Sequence, residues 1–250
     1  MEEFKMNSSL IGFPRVGKGR ELKFASEKYF RKEISVEELE KVAKGLKIMH
    51  WNLQQAAGIS HIPSNDFSYY DNLLDLTVLL NALPNGYRQL GLNERDTYFA
   101  AARGYQGEAG DVKALAMKKW FNTNYHYLVP ELFDDTEIKL VGDKPFAEYE
   151  EAKEIGVLTK PVLIGGFTFL KLAKYKGSKT INDFADQVAN AYIAILERFN
   201  EQGVAWVQFD EPSLVTDLSE EDVALFTALY EKVLAHKGNV KVLLQTYFGD

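Results

Sequence analysis

The chain has 250 residues, carries a formal net charge of −7 and contains no cysteine. This charge argues against a general nucleic-acid binder, which needs a broad basic face. The missing thiols exclude disulfides, iron–sulfur clusters and thiolate-bound zinc within this chain. No apolar run reaches about 18 residues and residues 1–9 are polar, so we expect a cytoplasmic protein with neither a transmembrane helix nor a signal peptide.

Short apolar segments along the chain are predicted to form buried strands. They cover residues 10–13, 59–63, 127–132, 161–170, 205–209 and 240–247. The continuous aliphatic character of residues 161–164 and 240–244 is typical of parallel strands that are covered on both faces.

Three helices are predicted from signals at their ends. Residues 35–55 begin with Ser-Val-Glu-Glu, which is a capping box. Residues 181–202 repeat apolar side chains at helical spacing and are followed by Gly203. A third helix is predicted to open after Ser219 and to run to His236, and residues 68–125 read as mostly helical.

The alternation of strands and helices predicts an α/β architecture with a parallel sheet. A (β/α)8 barrel of the TIM type takes about 250 residues, yet only about six core strands are recognisable. The last predicted strand also has no helix after it to cover its apolar face. We therefore expect one domain over residues 1–250 that is an incomplete barrel of about six strands, with an open sheet as the alternative.

Residues 11–23 form a basic segment on an otherwise acidic chain. The segment contains four cations within nine residues, Arg15, Lys18, Arg20 and Lys23. It reads as a turn between the first predicted strand and a helix from Leu22, and such a turn directs N–H groups and the positive helix end at one place. An anion with several charges, such as a phosphate or a chain of carboxylates, suits this arrangement; a solvated charged turn is the alternative.

Other polar residues follow predicted strands. Asn65 and Asp66 are candidate ligand-binding residues, although both are also common in turns and N-caps. Asp210 and Glu211 end the strand at 205–209 and point to opposite faces, so they cannot form an acid–base pair with each other. One of them is expected to face the helices.

The segment 118–127 combines a cation with amides and aromatic rings. Lys119 supplies the cation, and Asn122, Asn124 and His126 are candidate hydrogen-bonding residues. The Gly-Gly pair at residues 165–166 either lets a ligand approach the backbone or forms a plain turn. The histidines lack the spacing of a metal site, so we expect no metal ligand in this chain.

Taken together, five segments resemble the N-terminal part of cobalamin-independent methionine synthase, and they occur in that family's order. They are Gly12-Phe-Pro-Arg-Val-Gly17, Arg20-Glu-Leu-Lys23, Ile62-Pro-Ser-Asn-Asp-Phe67, Lys119-Trp-Phe-Asn-Thr-Asn-Tyr-His-Tyr127 and Asp210-Glu-Pro212.

The resemblance implies a function and a set of partners. The family transfers a methyl group from 5-methyltetrahydrofolate polyglutamate to homocysteine, and its catalytic zinc is bound by a C-terminal barrel that this chain lacks. The residues that contact the folate and its tail in the family correspond here to Arg20, Glu21, Leu22, Lys23 and Lys119. Arg15 and Lys18 are additional candidates for anion binding.

We therefore expect a methyltransferase component that holds the folate tail, packs on a catalytic barrel and is inactive on its own. Two alternatives stay open at this point. One is a non-catalytic scaffold or interaction module derived from the family. The other is a stand-alone barrel hydrolase that uses strand-end carboxylates such as Asp66 and Asp210, which would have to face one groove.

Overall fold

The computed structural model describes residues 7–248 and shows an α/β fold with parallel strands. The chain divides into two compact units. The first unit contains residues 7–69 and 144–162, and the second contains residues 70–143 and 163–248. Among the described residues, no helix is both long and apolar enough to cross a bilayer.

The first unit is built from three helices and two parallel strands. These are α1 (Glu21–Phe30), α2 (Val36–Ala56), β1 (Ile62–Ser64), α6 (Lys144–Glu154) and the first part of β7 (Thr159–Ile164). Strand β1 pairs with β7 in parallel, with Ile62 opposite Thr159 and Ser64 opposite Pro161. Helix α2 covers this pair, and the indole N–H of Trp51 donates to the carbonyl of Pro63 at 3.1 Å.

The second unit contains the remaining elements. Its helices are α3 (Asn72–Leu79), α4 (Asn85–Arg88), α5 (Glu94–Arg103), α7 (Gly166–Leu172), α8 (Ile181–Glu201) and α9 (Glu220–Leu234). Its strands are β2 (Tyr105–Gly107), β3 (Gly110–Val112), β4 (Met117–Lys119), β5 (His126–Leu128), β6 (Glu131–Leu132), β8 (Lys174–Tyr175), β9 (Trp206–Asp210) and β10 (Lys241–Gln245).

Strands β9 and β10 form the parallel core of the second unit, in a register that places Asp210 opposite Gln245. The ring of Phe209 packs on Tyr192 of α8, with ring centroids 5.2 Å apart. Because strand side chains alternate between faces, Phe209 and Glu211 face the helices, whereas Gln208 and Asp210 point away from them. Two antiparallel pairs, β2 with β3 and β4 with β5, complete the strand pairing together with the short parallel pair β6–β8.

The three helices predicted from capping signals are confirmed. Ser35 and Glu38 form the capping box of α2 with both reciprocal hydrogen bonds, and Ser219 and Asp222 do the same for α9. Helix α8 ends next to Gly203, whose φ of 74° is costly for a residue with a side chain.

Several strand predictions were wrong. Residues 10–13 form no strand, because the N–H of Phe13 bonds to a side chain and Pro14 has no N–H to offer a ladder; only an isolated bridge joins Ser9 to His61. Residues 127–132 divide between β5 and β6, and the segment predicted at 161–170 changes at Gly165 from strand β7 to helix α7. The described strands show a parallel sheet and no closed barrel.

Candidate functional site

The basic segment lies at the start of α1 in the first unit. Lys18, Arg20 and Lys23 are exposed, and Arg15 is half-buried. Within residues 7–248, neither Lys18 nor Arg20 makes a salt bridge, and Lys23 lies 3.7 Å from Glu27 in an exposed pair. An exposed pair contributes only about 0.2–1 kcal/mol, so Lys18, Arg20 and Lys23 remain accessible to an anion from solvent.

The start of α1 does not present its N–H groups as the sequence suggested. A carboxylate of the chain itself lies there, since Oε2 of Glu21 accepts from the N–H of Gly19 at 3.1 Å. The N–H of Leu22 donates to the carbonyl of Val16 at 3.2 Å. The positive character of this turn therefore resides mainly in its side chains and not in open backbone donors.

The backbone at Arg20 has an unusual conformation. Its φ of 62° and ψ of 34° are left-handed, and its side chain makes no capping hydrogen bond. A non-glycine residue in this region costs roughly 1–2 kcal/mol. Arg20 is the residue immediately before α1, and its side chain is exposed to solvent.

The side chain of Leu22 belongs to the core of the first unit. It is 4% exposed and packs in a cluster with Ala43, Leu46 and Phe67. Leu22 therefore anchors α1 against α2, and its neighbours Arg20, Glu21 and Lys23 remain on the outside. A ligand can reach position 22 only through the backbone.

Asn65 and Asp66 make hydrogen bonds within the first unit, which also contains the basic segment. The Asn65 amide donates to the carbonyl of Val162 at 2.8 Å and accepts from Nζ of Lys144 at 2.8 Å. The N–H of Asn65 donates to Glu148 at 3.0 Å. Burial raises the pKa of Asp66 to about 6, although the N–H of Phe13 that it accepts acts in the opposite direction. These are structural contacts of a tight turn.

Lys119 lies in the second unit, at the end of β4. Strand β4 pairs with β5 in an antiparallel hairpin that sets Lys119 opposite His126, and both residues are exposed. The tip of the hairpin is closed by Trp120, whose N–H donates to the carbonyl of Tyr125 at 2.8 Å. Asn122 and Asn124 are exposed on this tip.

Aromatic rings hold one side of this hairpin. The rings of Phe121 and Phe248 lie 5.5 Å apart. Trp120 also packs edge-to-face on Tyr127. The position of Lys119 is thus fixed by the strand pairing and by the residues that follow β10.

Asp71 is a further residue of this region, and the sequence reading did not single it out. Its carboxylate caps α3 and also accepts from the N–H of Leu128 in β5 at 3.0 Å. Burial raises its pKa to about 7. An aspartate shortly before Leu73 and Leu74 was a recognisable N-cap signal, but the contact with β5 could not be read from the sequence.

The Asp210–Glu211 pair is divided between two environments, as the alternation predicted. Asp210 accepts from the amide of Gln208 at 2.6 Å. Glu211 is fully buried on the helix side and accepts from the N–H groups of Phe167 and Thr168. The helix-side contact of Glu211 is made by hydrogen bonds and not by a salt bridge.

The space beside Gly165 is occupied by that same carboxylate. A Cβ atom at Gly165 would lie 2.1 Å from Oε1 of Glu211. The glycine therefore serves close packing within the protein, and it leaves no room for a ligand at this point. Over residues 7–248, no group of three or more His, Cys, Asp or Glu side chains is arranged to hold a metal ion.

These features define the class of the protein. It is an α/β domain with parallel strands and with exposed cations at the start of a helix. The family described as "Cobalamin-independent synthase, N-terminal domain" matches residues 7–250. This match covers nearly the whole sequence, and the chain belongs to the cobalamin-independent methionine synthase family as its N-terminal domain.

Curated relatives agree with this assignment. A 5-methyltetrahydropteroyltriglutamate–homocysteine methyltransferase of Streptococcus suis is 55% identical over 245 residues, which are 98% of this chain and 33% of the relative. A protein of the same description from Campylobacter jejuni serotype O:23/36 is 57% identical over 245 residues, 98% of this chain and 32% of the relative. The chain thus spans about a third of the length of these relatives.

A solved structure shares the fold. The crystal structure of a putative vitamin-B12-independent methionine synthase from Listeria monocytogenes aligns with a TM-score of 0.62, over 96% of this chain and 66% of that chain. The two sequences are 15% identical, so this likeness concerns the fold alone.

Proposed function

We propose that this chain binds the polyglutamate tail of 5-methyltetrahydrofolate and packs on a C-terminal catalytic barrel that transfers the methyl group to homocysteine. The tail-binding residues of this proposal are Arg20, Glu21, Leu22, Lys23 and Lys119, with Arg15 and Lys18 as further cations. The chain alone is then inactive as a methyltransferase. Its parallel strands would form part of a (β/α)8 barrel, because strands and helices alternate along the chain.

One observation carries the proposal: Lys18 and Arg20 are exposed and make no salt bridge within residues 7–248, and Lys23 makes only an exposed pair with Glu27. A polyglutamate tail is a flexible chain of carboxylates, and Arg and Lys side chains are its natural partners. Each exposed contact contributes only about 0.2–1 kcal/mol. Several cations are therefore needed to distinguish a long tail from a short one.

The relatives' name supports the identity of the ligand. It specifies a triglutamate form of the folate as methyl donor for the proteins of Streptococcus suis and Campylobacter jejuni. Those proteins share more than half of the residues in the aligned region with this chain. That this chain binds the same ligand as these relatives is part of the proposal.

The family's zinc does not fit the residues of this chain. The chain contains no cysteine to supply thiolate ligands, and within residues 7–248 no cluster of acidic and histidine side chains replaces them. No step of the proposed role in this chain runs through zinc. Zinc and the homocysteine site are assigned to the C-terminal part.

The test is a titration of the 250-residue chain with 5-methyltetrahydrofolate carrying one or three glutamates, at low and at moderate salt. Tighter and salt-sensitive binding of the triglutamate form is expected. Replacing Arg20 or Lys23 by alanine should reduce the preference for the longer tail by up to about fivefold for each cation. Lys28→Ala is the matched control, because Lys28 is an exposed cation of the same helix in its last turn.

Equal affinity for both tail lengths would overturn the tail-binding role. An equal loss in the Lys28 variant would show that net charge, and not the turn at residues 15–23, determines binding.

A further inference from the structure

The carboxylate of Asp71 accepts three backbone hydrogen bonds in a buried position of the second unit. Two come from the first turn of α3, from the N–H groups of Leu73 at 2.9 Å and Leu74 at 3.2 Å. The third comes from the N–H of Leu128 in β5 at 3.0 Å. Asp71 itself is 8% exposed.

The third bond reaches the hairpin that carries Lys119. Leu128 lies opposite Met117 in the β4–β5 register, and Lys119 lies opposite His126 at the other end of the same short pair. A three-residue strand pair has few hydrogen bonds of its own. A fixed point at Leu128 therefore adds to the strand pairing and the aromatic contacts that hold the end of β4, and with it Lys119.

Asp71 is in turn held by a second anchor. The hydroxyl of Tyr98 in α5 accepts from the N–H of Tyr70 at 3.1 Å and donates to Asp75 at 2.7 Å. The Asp71 backbone is thus fixed between α3 and α5. Its carboxylate is a rigid acceptor for the hairpin.

Helix capping alone does not account for this arrangement. A serine or threonine caps a helix about as well as aspartate does, and such a side chain needs to reach only the next turn. The longer aspartate side chain also contacts a strand 57 residues further along the chain. This additional contact distinguishes Asp71 from the other N-caps of the unit, such as Asn93 of α5, which bonds only within its own turn.

We propose that Asp71 is a positioning residue for Lys119: it fixes the β4–β5 hairpin and thereby the Lys119 ammonium, to which the proposed function assigns a carboxylate of the polyglutamate tail. The proposal rests on the proposed function as far as the ligand is concerned. Asp71 touches no ligand, and it acts through the backbone of Leu128.

The variants separate capping from positioning. Asp71→Ser retains a capping oxygen for α3, but its hydroxyl is one bond shorter and does not reach the N–H of Leu128. Asp71→Thr has the same reach and suits the extended backbone at this position, where φ is −153°; it serves if the serine variant does not fold. Asn93→Ala is the matched control, since it removes a cap of the same unit that has no contact with the hairpin.

The first measurement is hydrogen exchange of the chain without ligand. In Asp71→Ser, the amides of residues 117–128 should exchange about tenfold faster, which corresponds to the loss of one hydrogen bond. The amides of α3 and α8 should keep their protection. Unchanged exchange of residues 117–128 would overturn the inference whatever the chain binds.

The second measurement is the affinity ratio for the triglutamate and monoglutamate forms of 5-methyltetrahydrofolate. Lys119→Ala and Asp71→Ser should each lower this ratio by up to about fivefold, and the double variant should lower it no further than Lys119→Ala alone. Additive losses, or an unchanged ratio in Asp71→Ser beside a reduced ratio in Lys119→Ala, would overturn the positioning role. A wild-type chain without any tail preference would instead overturn the proposed function, and the exchange result would still decide whether Asp71 holds the hairpin.

Discussion

The carboxylate of Asp66 accepts a hydrogen bond of 2.7 Å from the backbone N–H of Phe13. The two residues are 53 positions apart, and Phe13 precedes Arg15 by two residues in the basic turn. Asp66 lies two residues after the end of β1, so this bond fastens the turn to the parallel strands of the first unit. The placement of the cations at residues 15–23 therefore depends on the side chain of Asp66, which is not itself one of these cations.

Removal of the Asp66 carboxylate should loosen this turn. Asp66→Ala leaves the N–H of Phe13 without its acceptor and should cost about 1–3 kcal/mol of the free energy of unfolding. Asp66→Asn keeps an acceptor oxygen and should cost clearly less. Urea unfolding of both variants measures the difference. Equal stabilities of the alanine and asparagine variants would contradict the role assigned to this bond.

Replacement of Arg20 separates its charge from its backbone. Glycine adopts φ near 62° without strain, whereas alanine does not. We expect Arg20→Gly to be about 0.5–1 kcal/mol more stable than Arg20→Ala in urea unfolding. Both variants lack the cation and should show the same reduced preference for the triglutamate tail.

If Arg20→Gly retained the wild-type preference for the long tail, the Arg20 side chain would have no part in binding. If it were less stable than Arg20→Ala, the left-handed backbone would be unimportant for stability.

A methyl group at Gly165 should destabilise the second unit. The new Cβ would overlap the buried carboxylate of Glu211, and overpacking of a core typically costs about 1–3 kcal/mol. Gly45→Ala in α2 is the control, because a Cβ there meets no atom within 4 Å and should add up to about 1 kcal/mol of helix stability. Thermal unfolding of the two variants should therefore change in opposite directions.

The pairing of Gly165 with Glu211 can also be tested directly. Glu211→Ala vacates the space that the new methyl group needs, so the double variant should be more stable than the sum of the two single effects implies. Strict additivity would show that the overlap is relieved elsewhere.

The stability of the chain should depend on pH through Asp71. The pKa of this carboxyl is about 7 in the folded state, compared with an ordinary value of 3.8. The folded state then binds its proton more tightly, so the associated stability is fully present below about pH 4 and is lost as the pH rises through about 7. Each unit of pKa difference corresponds to roughly 1.4 kcal/mol.

Asp71→Asn removes this titration and provides the reference. The free energy of unfolding of the wild type, relative to Asp71→Asn, should fall between pH 4 and pH 8. Urea unfolding at pH 5 and pH 8 measures the change. A constant or rising difference would contradict the raised pKa.

The helices of the fold were predictable because their signals are local. The Ser35–Glu38 and Ser219–Asp222 pairs cap α2 and α9 through residues three positions apart, and the apolar spacing of α8 lies within one segment. The family was also predictable, since its motifs occur in order along the chain. Such signals require no knowledge of distant contacts.

The strands were harder to predict because their boundaries depend on remote partners. The run at residues 161–170 is apolar throughout, and the change from β7 to α7 at Gly165 is determined by the carboxylate of Glu211. Residues 10–13 form no strand because the N–H of Phe13 donates to the side chain of Asp66. Neither partner is near in sequence.

The binding role of the candidate site stays a prediction, and the contacts of its residues were not predictable from the charge pattern. Lys18, Arg20 and Lys23 of the basic segment are exposed, but the charge pattern gave no sign that Glu21 would place its carboxylate at the start of α1. Nor did it show that Leu22 would be buried between its charged neighbours. Both features depend on the packing of α1 against α2.

The buried carboxylate of Glu211 also has a dynamic consequence. It accepts from the first N–H groups of α7 and from the hydroxyl of Tyr230 in α9 at 2.5 Å, while its own N–H donates to the carbonyl of Gln245 at the end of β10. No one of these elements can open without leaving a charged or polar group unpaired in the interior. The end of β9, the start of α7 and the middle of α9 should therefore unfold as one cooperative unit. Their amide hydrogens should exchange slowly and at similar rates.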